Sequence, residues 1–504
     1  MRVLLYSPAN LNVIDGSSIW VQSAAETLHV DKRITITLPL KAPERRDLIT
    51  RLLRRLERVE LVDPRTFRRA DPRGLRNDEA LDLVEHLDGK RRFDALILRS
   101  FALCLEGARR PSLRGRLWSS YVLEPERELE SPAYLAELSE IAEASRYVVA
   151  QSEEMRAVLE TFVPAARSRT ILMPPAIPTE TSARPDPGRS VERLIYTGKF
   201  HPFYPVTELI GLFAELRRER PGMEFHVAGD KIHRPPSDPG YAPALEAALM
   251  ETDGVVWHGG LGRDDVERIL ANGGVALSVW DKRHGPWMND LVVSTKLLDY
   301  CSVGLPVVLS RTAAQEELLG VDYPLFVTEM DEVLPLLRRV FADPALYSEA
   351  GERTWQASRR FTYPEVHRRL APFLAPSEQG GRDDLSPAER ALVDRPKLPG
   401  SRFNVGSLAG GAQQGDFARE LLRLLRETDE RFRLVALVAT DDLPSWLRTV
   451  SHIVPGDEDD ATAAALLARA VASGCHALPA GQPAEVAAAL LAGLPQGAVP
   501  AASA

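Results

Sequence analysis

The residues of this chain best placed for chemistry are cations, glycines and short polar side chains at the ends of strand-like runs. The run "RLIYTG" ends in Gly198 and Lys199, and an apolar period at Val206, Leu209, Ile210, Phe213 and Leu216 follows. That pattern spells strand, turn and amphipathic helix. A lysine at such a turn either neutralises a diphosphate, including the charge that grows on a nucleotide leaving group, or stands as a solvated surface lysine. After the first run, "RVLLYS", Asp15, Gly16, Ser17 and Ser18 precede another helical pattern. Gly16 permits close backbone approach and the amides beyond it suit a phosphate. The plainer role of these residues is an N-cap. The densest segment is "ALSVWDKRHGPWMNDLVVSTKLLDYCSVGLPVVLS". A buried strand ends at Trp280, a polar and aromatic loop runs through Asp290, and a short helix carries Lys296 and Asp299.

The elements that must position these residues are βα units. "RVLLYS", "ITITL", "DALILRS" and "YVVAQS", then "RLIYTG", "EFHVAG", "GVVWHGG", "GVALSVW" and "PVVLS", alternate with helical periods. Such alternation predicts parallel sheets with helices on both faces. The polar, Pro-rich stretch "TETSARPDPGRSVE" reads as a linker, so two Rossmann-like domains meet near residue 185. The reading gives an N-terminal domain over residues 1–185, a second over 186–358, a returning helix over 359–374 and a smaller α/β extension over 375–504. In open parallel sheets ligands sit beyond the carboxyl ends of the strands, where the turns above lie.

Composition narrows the function classes. The 504 residues suffice for about three domains, with 44% hydrophobic and 26% charged residues. A net charge of -9 argues against a protein that binds nucleic acid by blanket phosphate neutralisation. Cys104, Cys301 and Cys475 are too scattered for a disulfide framework or a structural zinc site, which suits a reducing cytosol. The start "MRVLLYSPAN" reads as a first strand and no run of 18 apolar residues occurs, so a cytoplasmic protein is expected. Residues 41–76 carry twelve Lys or Arg and six Asp or Glu, with Leu48, Ile49, Leu52, Leu53 and Leu56 on one helical face. That face either packs on the first sheet, the reading preferred, or lies on an anionic membrane surface as a peripheral contact. Asp457, Glu458, Asp459 and Asp460 contain a DxD, read here as helix N-terminal charge complementing the dipole and not as a metal motif.

"TKLLDYCSVGLPVVLS" resembles the "KLxEYxAxGxPVV" segment of family 4 glycosyltransferases, which have the GT-B fold. "YVVAQSEEMRAVL", "ILMPPAIP", "YTGKF", "GVVWHGGLGRDDVERIL" and "FTYPEVHRRLAPFL" follow that family's order, and the likeness covers about residues 1–374. The resemblance implies a metal-independent, retaining transfer of a sugar from a nucleotide-sugar co-substrate, with no other cofactor, to an unidentified acceptor. It sets Asp299 where the family has a glutamate gripping the ribose hydroxyls, Lys199 at the diphosphate-binding arginine, and Gly16 at the glycine of the first loop, with Ser17, Gly198 and Lys296 lining the same donor site.

Three positions depart from the pattern. The first glutamate of the family's EX7E motif falls on Leu291, with Asn289 and Asp290 the nearest polar groups. A second phosphate-binding lysine falls near Tyr204. The active-site histidine after "DALIL" is Arg99, whose cation can touch the donor diphosphate or an acidic sugar, or else pair with a neighbouring carboxylate. His284, Trp287 and Asn289 fall in the loop that in the family lies against the donor sugar, where a Trp can stack on a pyranose ring. Lys199, Arg99 and Asp290 are the residues expected to serve the reaction itself. The departure at Leu291 motivates a second expectation, a catalytically silent GT-B subunit that scaffolds a partner enzyme, and oligomers are compatible with both.

Overall fold

The computed structural model describes residues 1–67, 74–124, 127, 131–167, 169–179, 192–280 and 291–374, with short pieces between 404 and 492. The first sheet has seven strands: β1 (Arg2–Tyr6), β2 (Thr35–Pro39), β3 (Val59–Val62), β4 (Ala95–Arg99), β5 (Leu117–Ser120), β6 (Ser145–Ala150) and β7 (Thr170–Leu172). All are parallel in the order β3-β2-β1-β4-β5-β6-β7. The second sheet holds β8 (Arg193–Thr197), β9 (Glu224–Ala228), β10 (Val255–Trp257), β11 (Val275–Ser278), β12 (Val307–Ser310) and β13 (Phe326–Val327) in the order β10-β9-β8-β11-β12-β13. Both are doubly wound α/β sheets.

Alternation along β1 shows how the strands are buried on both faces. Val3 and Leu5 join Trp20, Ala24 and Leu28 of helix Gly16–His29 on one side, while Leu4 and Tyr6 join Leu81 and Val84 of helix Asn77–Arg91 on the other. Such strands read as continuous apolar runs, which is why they were visible in the sequence. β3, β5, β7 and β13 are short, and β5 ends in two buried serines, so no apolar run announced them.

The chain returns to the first domain at its end. Ile177 bridges Thr362, and helix Tyr363–Leu370 buries Val366 and Leu370 completely in the core that contains helix Gly16–His29. Burying two such side chains is worth about 1.5–3 kcal/mol each. Beyond residue 374 the described pieces form a further parallel sheet of β14 (Asn404–Ser407), β15 (Leu434–Leu437), β16 (His452–Val454) and β17 (His476–Ala477), in the order β15-β14-β16-β17. This is the α/β character expected of the extension. Residues 457–460 lie outside the described residues.

The basic stretch 41–76 is not one amphipathic helix. It is helical at Thr50–Leu53, and Val59–Val62 of the same stretch adds a strand to the sheet. Ile49, Leu52 and Leu53 are buried, so the apolar face is spent on the first sheet and is not free to enter a membrane. Arg54 pairs with Glu44, Arg65 with Asp63, and Arg46 reaches Asp230 of the second domain at 3.6 Å. Among the described residues no helix is long and apolar enough to cross a membrane.

Candidate active site

Strand order reverses between β1 and β4 in the first sheet and between β8 and β11 in the second. Crevices open at the carboxyl ends of strands at such reversals. The turns after β1 and β8 face each other there, and one cleft is lined by Ile14, Asp15 and Gly16 from the first domain and by Gly198, Gly229, Lys296 and Asp299 from the second.

Asp15 caps helix Gly16–His29. Its Oδ1 accepts from the amides of Ser17 at 2.9 Å and Ser18 at 3.0 Å, and the Ser18 hydroxyl accepts from the Asp15 amide. The cap is worth about 1 kcal/mol. The Ser17 amide is held by this cap. The second carboxylate oxygen of Asp15 crosses the cleft to Lys231 Nζ at 2.5 Å. Gly16 sits against the other domain: a Cβ added there would lie 3.7 Å from Thr295 Oγ1. The positive N-terminal ends of helices Gly16–His29 and Thr295–Ser302 therefore meet at the cleft.

The turns after β8 and β9 are zipped together. Phe200 pairs with Ile232, the Phe200 amide donates to the Lys231 carbonyl, and the His233 amide donates back to Phe200. Phe200 is buried and Ile232 packs on the core, so Lys199, His201, Lys231 and His233 share the opposite face. The His201 and His233 rings lie 4.5 Å apart. Glycine makes the approach possible: Gly229 has φ +155°, and a Cβ there would fall 2.0 Å from the Gly198 carbonyl oxygen.

Lys296 completes the basic surface. It is 9% exposed, and its ammonium lies over the rings of Tyr204 at 4.1 Å and Tyr196 at 4.5 Å. Tyr204 thus supplies an aromatic face where the family pattern has a lysine. Among the described residues no carboxylate pairs with Lys296 or Lys199. Burial, reinforced by the charge of Lys199, brings the Lys296 ammonium down to about 7. Burial and then Lys231 also lower Lys199, while Asp15 works against them. Burial lowers His201 to about 4, helped by His233 and Lys199. Lys199, Lys231 and Lys296 thus gather at a cleft that also carries Asp15, Asp230 and Asp299, with Asp15 paired to Lys231 and Asp299 to Arg263.

Asp299 is not free. Its Oδ1 accepts from Arg263 at 2.8 Å, and the same guanidinium donates to the Tyr363 hydroxyl at 3.1 Å. Burial pushes the Asp299 carboxyl up, against the pull of Arg263. The neighbouring Tyr300 hydroxyl accepts from the Thr197 amide at 2.7 Å and fixes the helix to the end of β8.

Arg99 ends β4 and is held by rings, with its guanidinium carbon 3.8 Å from the centre of Tyr121 and 5.5 Å from that of Trp20. The carboxylate partner considered for it is not found among the described residues. Leu291 is fully buried in the first domain's core, and its carbonyl accepts from the Ser152 hydroxyl at 2.5 Å. Leu291 is therefore an apolar tether between domains. His284, Trp287, Asn289 and Asp290 lie outside the described residues. Among the described residues no group of three or more His, Cys, Asp or Glu can hold a metal ion.

The structure brings Gly16, Gly198, Lys199, Lys296 and Asp299 to one place and adds Lys231, His233 and Arg263. Their signals were present as "VAGDKIH" after a strand and "LGRDD" before a helix, each a polar side chain at a βα turn.

No family model matches the sequence, and the search of curated proteins finds no match. Solved structures do. The sucrose-phosphate synthase of Thermosynechococcus elongatus is 14% identical over 74% of this chain and 98% of its own, with a TM-score of 0.56. HepE of Anabaena, solved with UDP-glucose, is 15% identical over 74% and 99%, at 0.55. WaaG, a glycosyltransferase involved in lipopolysaccharide biosynthesis, is 12% identical over 75% and 100%, at 0.51. The fold is GT-B. About a quarter of the chain lies outside each of these alignments.

Proposed function

We propose that this protein is a glycosyltransferase that moves a sugar from a nucleotide-sugar donor, held in the cleft, to an acceptor presented by the first domain. The observation that carries the reading is the convergence of Lys199, Lys231 and Lys296 with two helix N-termini at the domain junction, beside the half-buried Asp299. Lys199 and Lys296, which no carboxylate among the described residues pairs with, suit a diphosphate, and a carboxylate accepts the paired hydroxyls of a ribose. The GT-B neighbours support it, and HepE puts UDP-sugars at the head of any test panel.

In this reading transfer needs no metal. The bond between the sugar's anomeric carbon and the diphosphate oxygen breaks, the acceptor oxygen bonds the same carbon from the same face, and the acceptor proton passes to the departing phosphate. Configuration is retained. Lys199 and Lys296 meet the charge that grows on the leaving group, in a site where fixed charges need little reorganisation. Arg99, fixed between two rings, meets the donor diphosphate or an acidic sugar. His284, Trp287 and Asn289 remain assigned to the donor sugar and Asp290 to the reaction itself, and the family assignment remains part of this proposal. A thermal-shift panel of UDP-, GDP-, ADP- and dTDP-sugars tests the reading, because ligand at 100 times its dissociation constant stabilises by about 2.7 kcal/mol. A folded protein stabilised by none of them would refute it.

A further inference from the structure

Arg263 begins helix Arg263–Ala271 and lines the cleft beside Asp299. Its side chain is 11% exposed and that of Asp299 19%, so the pair is shielded from water. Arg263 engages only one carboxylate oxygen of Asp299, which leaves Oδ2 to accept from a ligand. The other arm of the guanidinium reaches Tyr363, at the start of a helix whose apolar side is sunk in the first domain's core. Glu26, on helix Gly16–His29 of the first domain, also faces the charge of Arg263. One guanidinium thus touches the residue assigned to the ribose and the returning helix, and acts electrostatically on Glu26 of the first domain.

We propose that Arg263 is a positioning residue that aims and ionises Asp299 for the ribose hydroxyls, and that it couples ribose reading to the first domain through Tyr363. The inference rests on the nucleotide-sugar reading of the cleft. Its physical basis is the surroundings of Asp299. Burial disfavours its charged form, Glu267 from the Arg263 helix repels it, and Arg263 is the cation that opposes both. Tyr363 feels Arg263, Glu26 and Asp299 together. Without Arg263 the carboxyl would be pushed further toward its neutral form and lose its fixed orientation, while the lysines that hold the diphosphate stay in place.

The test measures affinities of the full-length protein for UDP, GDP and ADP and for their 2′-deoxy counterparts by titration calorimetry from pH 6.5 to 8.5. The wild type should favour the ribonucleotide by roughly tenfold, the scale of one lost hydrogen bond to a charged acceptor. Arg263→Met should lower that ratio severalfold, most at the acidic end of the range, with the deoxynucleotide affinity kept. Arg263→Lys should restore part of it. Tyr363→Phe, which removes one hydroxyl, covers the case in which Arg263→Met does not fold, and should lower the ratio about threefold. An unchanged ratio in Tyr363→Phe refutes the coupling. A wild-type ratio at every pH in Arg263→Met, or an equal loss of ribo- and deoxynucleotides, overturns the positioning role. Binding of no nucleotide by the wild type overturns the functional reading instead.

Discussion

Diphosphate binding should be accompanied by proton uptake at Lys296. In the free protein burial and the charge of Lys199 set this ammonium near 7, against 10.5 for an ordinary lysine. At pH 8 only about one-tenth of the molecules then carry the charge that a diphosphate needs. The sign follows from linkage. Between pH 7 and 10.5 the unfolded chain holds a proton that the folded, empty protein has released, so the stability contribution of this group rises with pH. An anion beside Lys296 draws the proton back, so nucleotide affinity should fall as pH rises. If the complex restores an ordinary lysine, the loss is about tenfold, or ~1.4 kcal/mol, per pH unit. The window from pH 7.5 to 9 is informative because the phosphate, with a second ionisation near 6, is fully charged there. His201, lowered to about 4, is neutral throughout it. Calorimetric titration of UDP at pH 8 in buffers of different ionisation enthalpy should show uptake approaching one proton, and Lys296→Met should abolish most of it. Affinity flat from pH 7.5 to 9, or an undiminished slope in Lys296→Met, would refute the placement of Lys296 against the diphosphate.

The other residues of the cleft give sharper kinetic and stability signatures. Lys199→Ala should cost about 10² to 10³ in transfer rate, read by nucleoside diphosphate release, while the melting temperature stays close to wild type, since no carboxylate among the described residues depends on it. Asp299→Ala should weaken nucleotide binding by about 1–3 kcal/mol. It should also destabilise the fold by about 3–5 kcal/mol, because it strands the buried Arg263 guanidinium; denaturant unfolding separates the two, and Asp299→Glu should spare most of both. Deleting residues 375–504 should leave a soluble protein that still binds nucleotide, because both sheets and the returning helix are complete by Leu374. Strand β15 touches helix Glu153–Phe162, so a truncated chain that precipitates would place the extension within the core.

Much of this architecture was legible because strands buried on both faces write themselves as apolar runs. β1, β2, β4, β6, β8, β9, β11 and β12 stand out for that reason, as does helix Thr295–Ser302 within "TKLLDYCSVGLPVVLS". The site was legible only in part. Lys199 and Gly198 could be placed because the strand and helix flanking them are strongly periodic. Lys231 and Arg263 could not, since their meaning arises from partners far along the chain: Asp15 lies 216 positions from Lys231, and Tyr363 lies 100 from Arg263. Local sequence carries no record of such pairings. In the stretch 41–76 the leucines at helical spacing do pack on the first sheet, the reading preferred from sequence, whereas the strand Val59–Val62 was not legible because the open edge beside β2 recruits it.

The central claim is that the basic cleft turns over a nucleotide sugar. The most direct measurement is release of nucleoside diphosphate from UDP-, GDP-, ADP- and dTDP-sugars by the full-length protein, with slow hydrolysis to water standing in for the unidentified acceptor and Lys199→Ala as the control. The account predicts release from at least one donor class, in proportion to enzyme and strongly reduced in the control. A folded protein that binds a nucleotide sugar but releases nothing from any of them, with or without candidate glycan acceptors, would contradict it and make the chain a silent GT-B subunit.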